Sequence, residues 1–129
     1  MTTPEPGFYP DQVGIDAYGN SGFRFADMSH RGSLLCLPSG MQGWAVATPA
    51  DITMQSMAPV FAVADQIDVL LVGLGHDVVG FPADIRAALR ERNIIVEAIG
   101  TGGAVRTYNV LLGEQRAVAA ALIAVERAR

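Results

Sequence analysis

The alternation between residues 67 and 112 limits the fold of this chain more than any other feature. Ile67–Val72 is an apolar run of strand length, interrupted only by Asp68 and stopped by Gly73. Such a run reads as a strand buried on both faces. Pro82–Arg92 carries helix signals at both ends: Pro82 near the first position, Asp84 in the first turn, Arg90 and Arg92 in the last. Ile85, Ala88 and Leu89 form its core stripe, and Asn93 suits the left-handed position beyond it. Ile94–Ile99 is a second strand. Thr101, an N-cap residue type, opens a helix through Leu112, with Gly113 as its stop. Strand, helix, strand, helix in this order implies a parallel pair with a right-handed crossover.

Upstream the elements are shorter. Ile15–Tyr18 and Gly22–Phe25, separated by Gly19, Asn20 and Ser21, read as a hairpin. Ser33–Leu37 and Trp44–Thr48 read as two more strands, with a turn bracketed by Gly40 and Gly43 between them. Thr53–Ala64 has apolar residues at helical spacing, and Pro59 moves the start of its regular part to near Ser56. Residues 1–12, with three prolines, read as a loose lead-in or an edge segment, and residues 13–129 as one α/β domain. The tail from Arg116 to Val125 stays open: its alanines favour helix, while its length and its place after a glycine allow a strand.

Composition decides which chemistries are available. The chain is 50% hydrophobic and 17% charged, too apolar for intrinsic disorder. All nine positive side chains are arginines. Without lysine there is no side-chain Schiff base, no pyridoxal phosphate linkage and no P-loop lysine. A net charge of −4 and a pI of about 4.9 give no basic footprint for nucleic acid. Cys36 has no partner for an internal disulfide and reads as a buried structural residue. No apolar run approaches the roughly 18 residues of a membrane span. Residues 1–12 contain Glu5 and Asp11 but no arginine, unlike a secretory signal or a transit peptide. The expectation is a cytoplasmic protein without direct membrane insertion.

Two glycine-rich segments, 73–80 and 100–103, each follow a parallel strand and precede a helix. Ligands bind at that end of an open α/β sheet, and helix N-termini there favour anions. The dinucleotide fingerprint fails, because Gly80 comes five residues after Gly75 instead of three. The glycines therefore serve either as tight turns or as an anion cradle. His76 beside Asp77 lacks an accompanying nucleophile motif, and His30 lies in a polar turn and reads as solvated. The two histidines show no metal-ligand spacing, and Trp44 reads as sheet packing. Arg106-Thr107-Tyr108-Asn109 is the densest polar cluster on a helix. Arg106 sits one turn from the helix start, as a clamp for an anion or as a structural arginine, and Tyr108 leans inward and needs a hydroxyl partner.

Several stretches resemble a known family. They are Tyr18–Phe25, Trp44 four residues after Ser39-Gly40, Asp68–Gly75, and Ala104–Asn109 continuing to Glu114, Arg116 and Val118–Ile123. The family is a small conserved domain of uncertain function that includes mitochondrial respiratory complex I assembly factor 3 and bacterial and archaeal relatives. The resemblance implies a three-layer α/β fold: a central mixed, mostly parallel sheet flanked by helices, with an additional N-terminal hairpin layer. It also implies that Val118–Ile123 is a strand antiparallel to its neighbours. It supplies no catalytic residue and no cofactor. Since the chain lacks a basic presequence, a bacterial protein is expected.

Two functions follow as expectations. The first is a non-catalytic interaction protein, an assembly factor for a membrane-associated, respiratory-type complex, with protein partners. The second is a small-molecule or anion binder, or an enzyme, built on the two glycine loops. The candidate ligand- or partner-binding residues are Gly73, Gly75, His76, Thr101, Arg106, Tyr108, Asn109 and Arg116. A homodimer through the N-terminal strands is a third option. No metal site is expected.

Overall fold

The computed structural model describes residues 7–76 and 80–128. Its strands are β1 Phe8–Tyr9, β2 Ala17–Gly19, β3 Gly22–Phe25, β4 Met28–Arg31, β5 Ser33–Leu37, β6 Gly40–Trp44, β7 Val69–Gly73, β8 Ile95–Ile99 and β9 Val118–Leu122. The α-helices are α1 Ala58–Ala62, α2 Ala83–Glu91 and α3 Thr101–Gly113. Six strands form one sheet in the order β1-β6-β5-β9-β7-β8, and β2-β3-β4 form a separate sheet.

The β7-α2-β8-α3 unit forms as its periodicity predicts, and β7 and β8 are parallel. Both longer helices end in the same way. Asn93 (φ 64°) and Gln115 (φ 61°) adopt the left-handed conformation just beyond them. The Asn93 N–H then bonds the Arg90 carbonyl and the Ile94 N–H the Leu89 carbonyl, a Schellman closure. Gln115 and Arg116 repeat it on Leu112 and Leu111. Gly113, the expected stop, is instead the last helical residue.

The large sheet is mixed but not mostly parallel. Only β9–β7 and β7–β8 are parallel, while β1–β6, β6–β5 and β5–β9 are antiparallel. The reason is the two-residue turn Pro38-Ser39, which is too short for anything but an antiparallel hairpin. β9 is a strand despite its alanines, yet it is antiparallel to β5 only and runs parallel to β7. It is the last strand of the right-handed series that begins at β7, and so inherits that direction.

Period-two alternation gives this sheet two buried faces. Leu35, Leu37, Leu70, Val72, Ala119, Ala121 and Ile123 face α1 and α2 through Met57, Val60, Ile85 and Leu89. Leu34, Cys36, Leu71, Val118, Ala120 and Leu122 face the other way. There they meet Ala104, Val105 and Tyr108 of α3, together with Phe23 and Phe25 of the small sheet.

Three local expectations change. The hairpin β2–β3 turns at Asn20 and Ser21, both with positive φ. A second hairpin, β3–β4, turns in the same way at Ala26 and Asp27, whose sequence carries no Asn-Gly signal. β6 covers Gly40–Trp44, so Gly40 and Gly43 lie inside a strand, and the expected strand Trp44–Thr48 ends at Trp44. α1 is only Ala58–Ala62, since Pro59 sits in its first turn and Thr53 and Ser56 tie each other into the preceding turn. Of the two readings of residues 1–12, the edge segment holds for Phe8–Tyr9, which pairs with β6.

Candidate functional site at the carboxyl ends of the parallel strands

β7, β8 and β9 all end on one rim of the sheet, and Thr101 connects the three. Its Oγ accepts from the Gly75 N–H at 3.0 Å and donates to the Ile123 carbonyl at 2.7 Å. Its own N–H reaches the Gly75 carbonyl at 3.0 Å, while Leu74 N–H reaches Ile99 and Ile123 N–H reaches Gly73. Thr101 is 1% exposed. It is therefore the first residue of α3 and not its cap; Gly100 takes the cap position. Gly73 must be glycine for this stitching: a Cβ there would sit 3.0 Å from both Cα and Oγ of Thr101. Gly75 holds φ +85°, where a side chain would be strained. His76 is half-buried next to this turn. Asp77 lies outside the described residues.

The polar cluster on α3 divides into two kinds of residue. Tyr108 is fully buried and donates to the Val13 carbonyl at 2.8 Å. Burial pushes its phenol far above the ordinary range, with the neighbouring Cys36 adding to the effect. Asn109 holds Ile15 from both sides, accepting its N–H and donating to its carbonyl, each at 2.8 Å. Gln12 adds a bond to the Val118 carbonyl. Together they latch residues 12–15 across α3 and β9, which fixes where the small sheet begins.

Arg106 and Arg116 are exposed instead. The Arg106 guanidinium folds back towards Gly103, with Nη2 3.9 Å from where a Cβ would sit. It lies close to the Thr101 rim. Arg116 lies just beyond the far end of α3, whose last residue, Gly113, is about 10 Å along the axis from Arg106, so the structure does not bring these two together. Of the eight candidates, Gly73, Gly75, His76, Thr101 and Arg106 gather at the rim, and Tyr108 and Asn109 face the N-terminal segment.

Sequence reasoning missed two features. His30 is buried, contrary to the solvated reading, because register places it across from Phe23 on the inner face of the small sheet. Its Nε2 donates to the Ser33 carbonyl and its Nδ1 meets the Tyr9 hydroxyl, both at 3.1 Å. The second is a cavity of about 880 Å³ farther along the same end of the sheet, between Trp44–Ala47, Ala50–Thr53, Ser33 and Ala124, with Arg31 at its edge. Its lining comes from separate segments, so no local motif announces it. The Trp44 ring is fixed there by its indole N–H on the Ser56 carbonyl at 2.9 Å.

These features define a small mixed-sheet α/β domain with a separate antiparallel sheet latched to it. No group of metal-ligating residues occurs among the described residues. The chain belongs to the family described as protein of unknown function (DUF498/DUF598), which it matches over residues 15–123. It is 37% identical over 123 residues to an uncharacterized protein of Rhodobacter capsulatus, covering 95% of this chain and 93% of that one. It is 32% identical over 115 residues to mouse NADH dehydrogenase [ubiquinone] 1 alpha subcomplex assembly factor 3, covering 89% of this chain and 62% of that protein. The chain thus spans about three-fifths of the mouse relative. Among solved structures it resembles one from Bartonella henselae described as an outer membrane protein. The TM-score is 0.87 at 51% identity, covering 92% of this chain and 99% of that one. It also resembles a Bordetella pertussis protein described as an Mth938-like domain, with TM-score 0.76 at 26% identity, covering 99% and 92%. Among the described residues, no helix is long and apolar enough to cross a membrane.

Proposed function

We propose that this domain is a non-catalytic interaction protein that supports assembly of a membrane-associated complex of the respiratory NADH dehydrogenase type, from the bacterial cytoplasm. The observation that carries this reading is its 32% identity, over 89% of the chain, to a protein named as an assembly factor for such a complex. The partner-binding surface we assign is the flank of α3 beside β8. Ile95 is 66% exposed and Val110 59%, the two highest values for large hydrophobic side chains among the described residues. Arg106 lies one helical turn from Val110, and α3 runs back along β8 from Gly103, which packs on Ile99. An apolar stripe with an unpaired guanidinium suits a protein partner better than a small substrate.

The test is removal of the gene from its native host, followed by native-gel quantification of the membrane NADH dehydrogenase complex. We expect less of the complete complex, restored by the wild-type gene but not by a Val110→Glu/Arg106→Glu double variant. An unchanged amount of complete complex in the deletion strain would overturn the reading.

A further inference from the structure

The outer face of the small sheet carries two arginines without an acidic partner among the described residues. Strand alternation turns Phe23, Phe25 and His30 inward and leaves Arg24, Ser29 and Arg31 exposed. Register sets Arg24 opposite Ser29 and Arg31 opposite Gly22. The two arginines are therefore diagonal neighbours, with Cβ atoms on the order of 7–8 Å apart. Among the described residues, neither guanidinium has a hydrogen-bond or ion-pair partner.

The residues paired with them on the outer face are small, while Tyr18, Phe23 and His30 also line the site. Ala17 lies across from Arg24 on β2, and Gly19 across from Gly22. Together with Ser29 they leave a recess of about 460 Å³ over the sheet, with Asn20 on its lining and no carboxylate among the described residues that line it. The chain as a whole has 13 acidic residues against 9 arginines, so a concave site holding two cations and no acid runs against its average charge. The volume lies in the lower part of the range for small-molecule sites, about 300–1,000 Å³. Two permanently charged, planar forks opening on one recess complement an oxyanion with oxygens enough for both. A single carboxylate occupies one fork; a phosphate dianion occupies two.

We propose that this recess binds a phosphate group, as inorganic phosphate or as the head of a small phosphomonoester, clamped between Arg24 and Arg31. The site lies on the small sheet, away from the α3 flank, and stands independently of the assembly role.

The experiment titrates the 15N-labelled full chain with inorganic phosphate, and separately with glycerol 3-phosphate, at constant ionic strength set by chloride. A third arm uses vesicles containing phosphatidic acid. Saturable shifts are expected at the Arg24 and Arg31 side-chain Nε–H signals and at the Ser29 amide. Arg24→Ala and Arg31→Ala should each weaken binding about tenfold. Arg90→Ala removes the same net charge from α2 and should titrate like wild type. Both recess variants should keep the wild-type urea midpoint, because these side chains hold nothing in place. A response to the soluble probes assigns a soluble phosphate ligand; a response to vesicles alone assigns a lipid headgroup. No saturable response in any arm, an equal response to chloride, or unchanged affinity in both arginine variants would overturn the proposal.

Discussion

Asn109 satisfies the N–H and the carbonyl of Ile15 with one amide, and few other side chains carry a donor and an acceptor so placed. Asn109→Ala leaves two partly buried backbone groups unpaired. We expect a loss of about 2–3 kcal/mol, measured as a lower urea midpoint at unchanged slope. Tyr108→Phe removes the bond to the Val13 carbonyl and a weaker one to the Met41 sulfur, and should cost about 1–2 kcal/mol in the same assay. Cys36 is fully buried, and burial pushes its thiol far above the ordinary range. It should therefore stay protonated and react with a thiol reagent at pH 8 only as fast as the chain unfolds; rapid labelling of the native protein would contradict its placement in the core. The Arg-Thr-Tyr-Asn cluster was legible as something specific, but not as a latch. Its partners are backbone groups 94 and 95 residues away, and backbone groups leave no signature in a sequence.

At the scale of elements, the ends of helices and the turns were legible wherever the residue type forces the geometry. Asn93 was, because asparagine tolerates positive φ, whereas the Ala26-Asp27 turn was not, because its first residue is an alanine, which rarely adopts positive φ. The 3-10 turn Pro49–Asp51 shows how a carboxylate can organise a loop. Asp51 accepts the N–H groups of Thr48 and Ala47, each at 3.0 Å, and these bonds lower its pKa, the Thr48 bond most. A carboxyl group whose folded pKa is lowered stabilises the fold above its unfolded pKa, and that contribution is lost as pH falls through the lower, folded value. The side-chain carbon titration of Asp51 should therefore have its midpoint below that of a free aspartate. In Asp51→Asn this acid-side transition should disappear from the loop amides.

For the whole molecule, β9 is the joint. It pairs with β5 on one side and β7 on the other, and so connects the antiparallel N-terminal half of the sheet to the parallel C-terminal half. Ala119, Ala120 and Ala121 are wholly buried and supply both faces. Removing residues 114–129 should abolish the dispersed amide spectrum of the whole chain, and not merely fray its end. Survival of either half as a folded unit would show that the two cores are independent. Ala120→Leu should cost roughly 1–3 kcal/mol or more, since it forces a larger side chain against α3.

The sequence by itself determined the strand–helix alternation of residues 67–112, the helix end at Asn93 and the first hairpin. These follow from side-chain spacing and from hydrogen bonds that close within a few residues. Tertiary structure alone decided the direction of β9, the burial of His30, the latch on residues 12–15 and the cavity beside Trp44. Each depends on which distant strand lies alongside, and only the folded sheet specifies that. An alanine-rich segment becomes a central strand because a gap of that shape, buried on both faces, is already defined by β5 and β7.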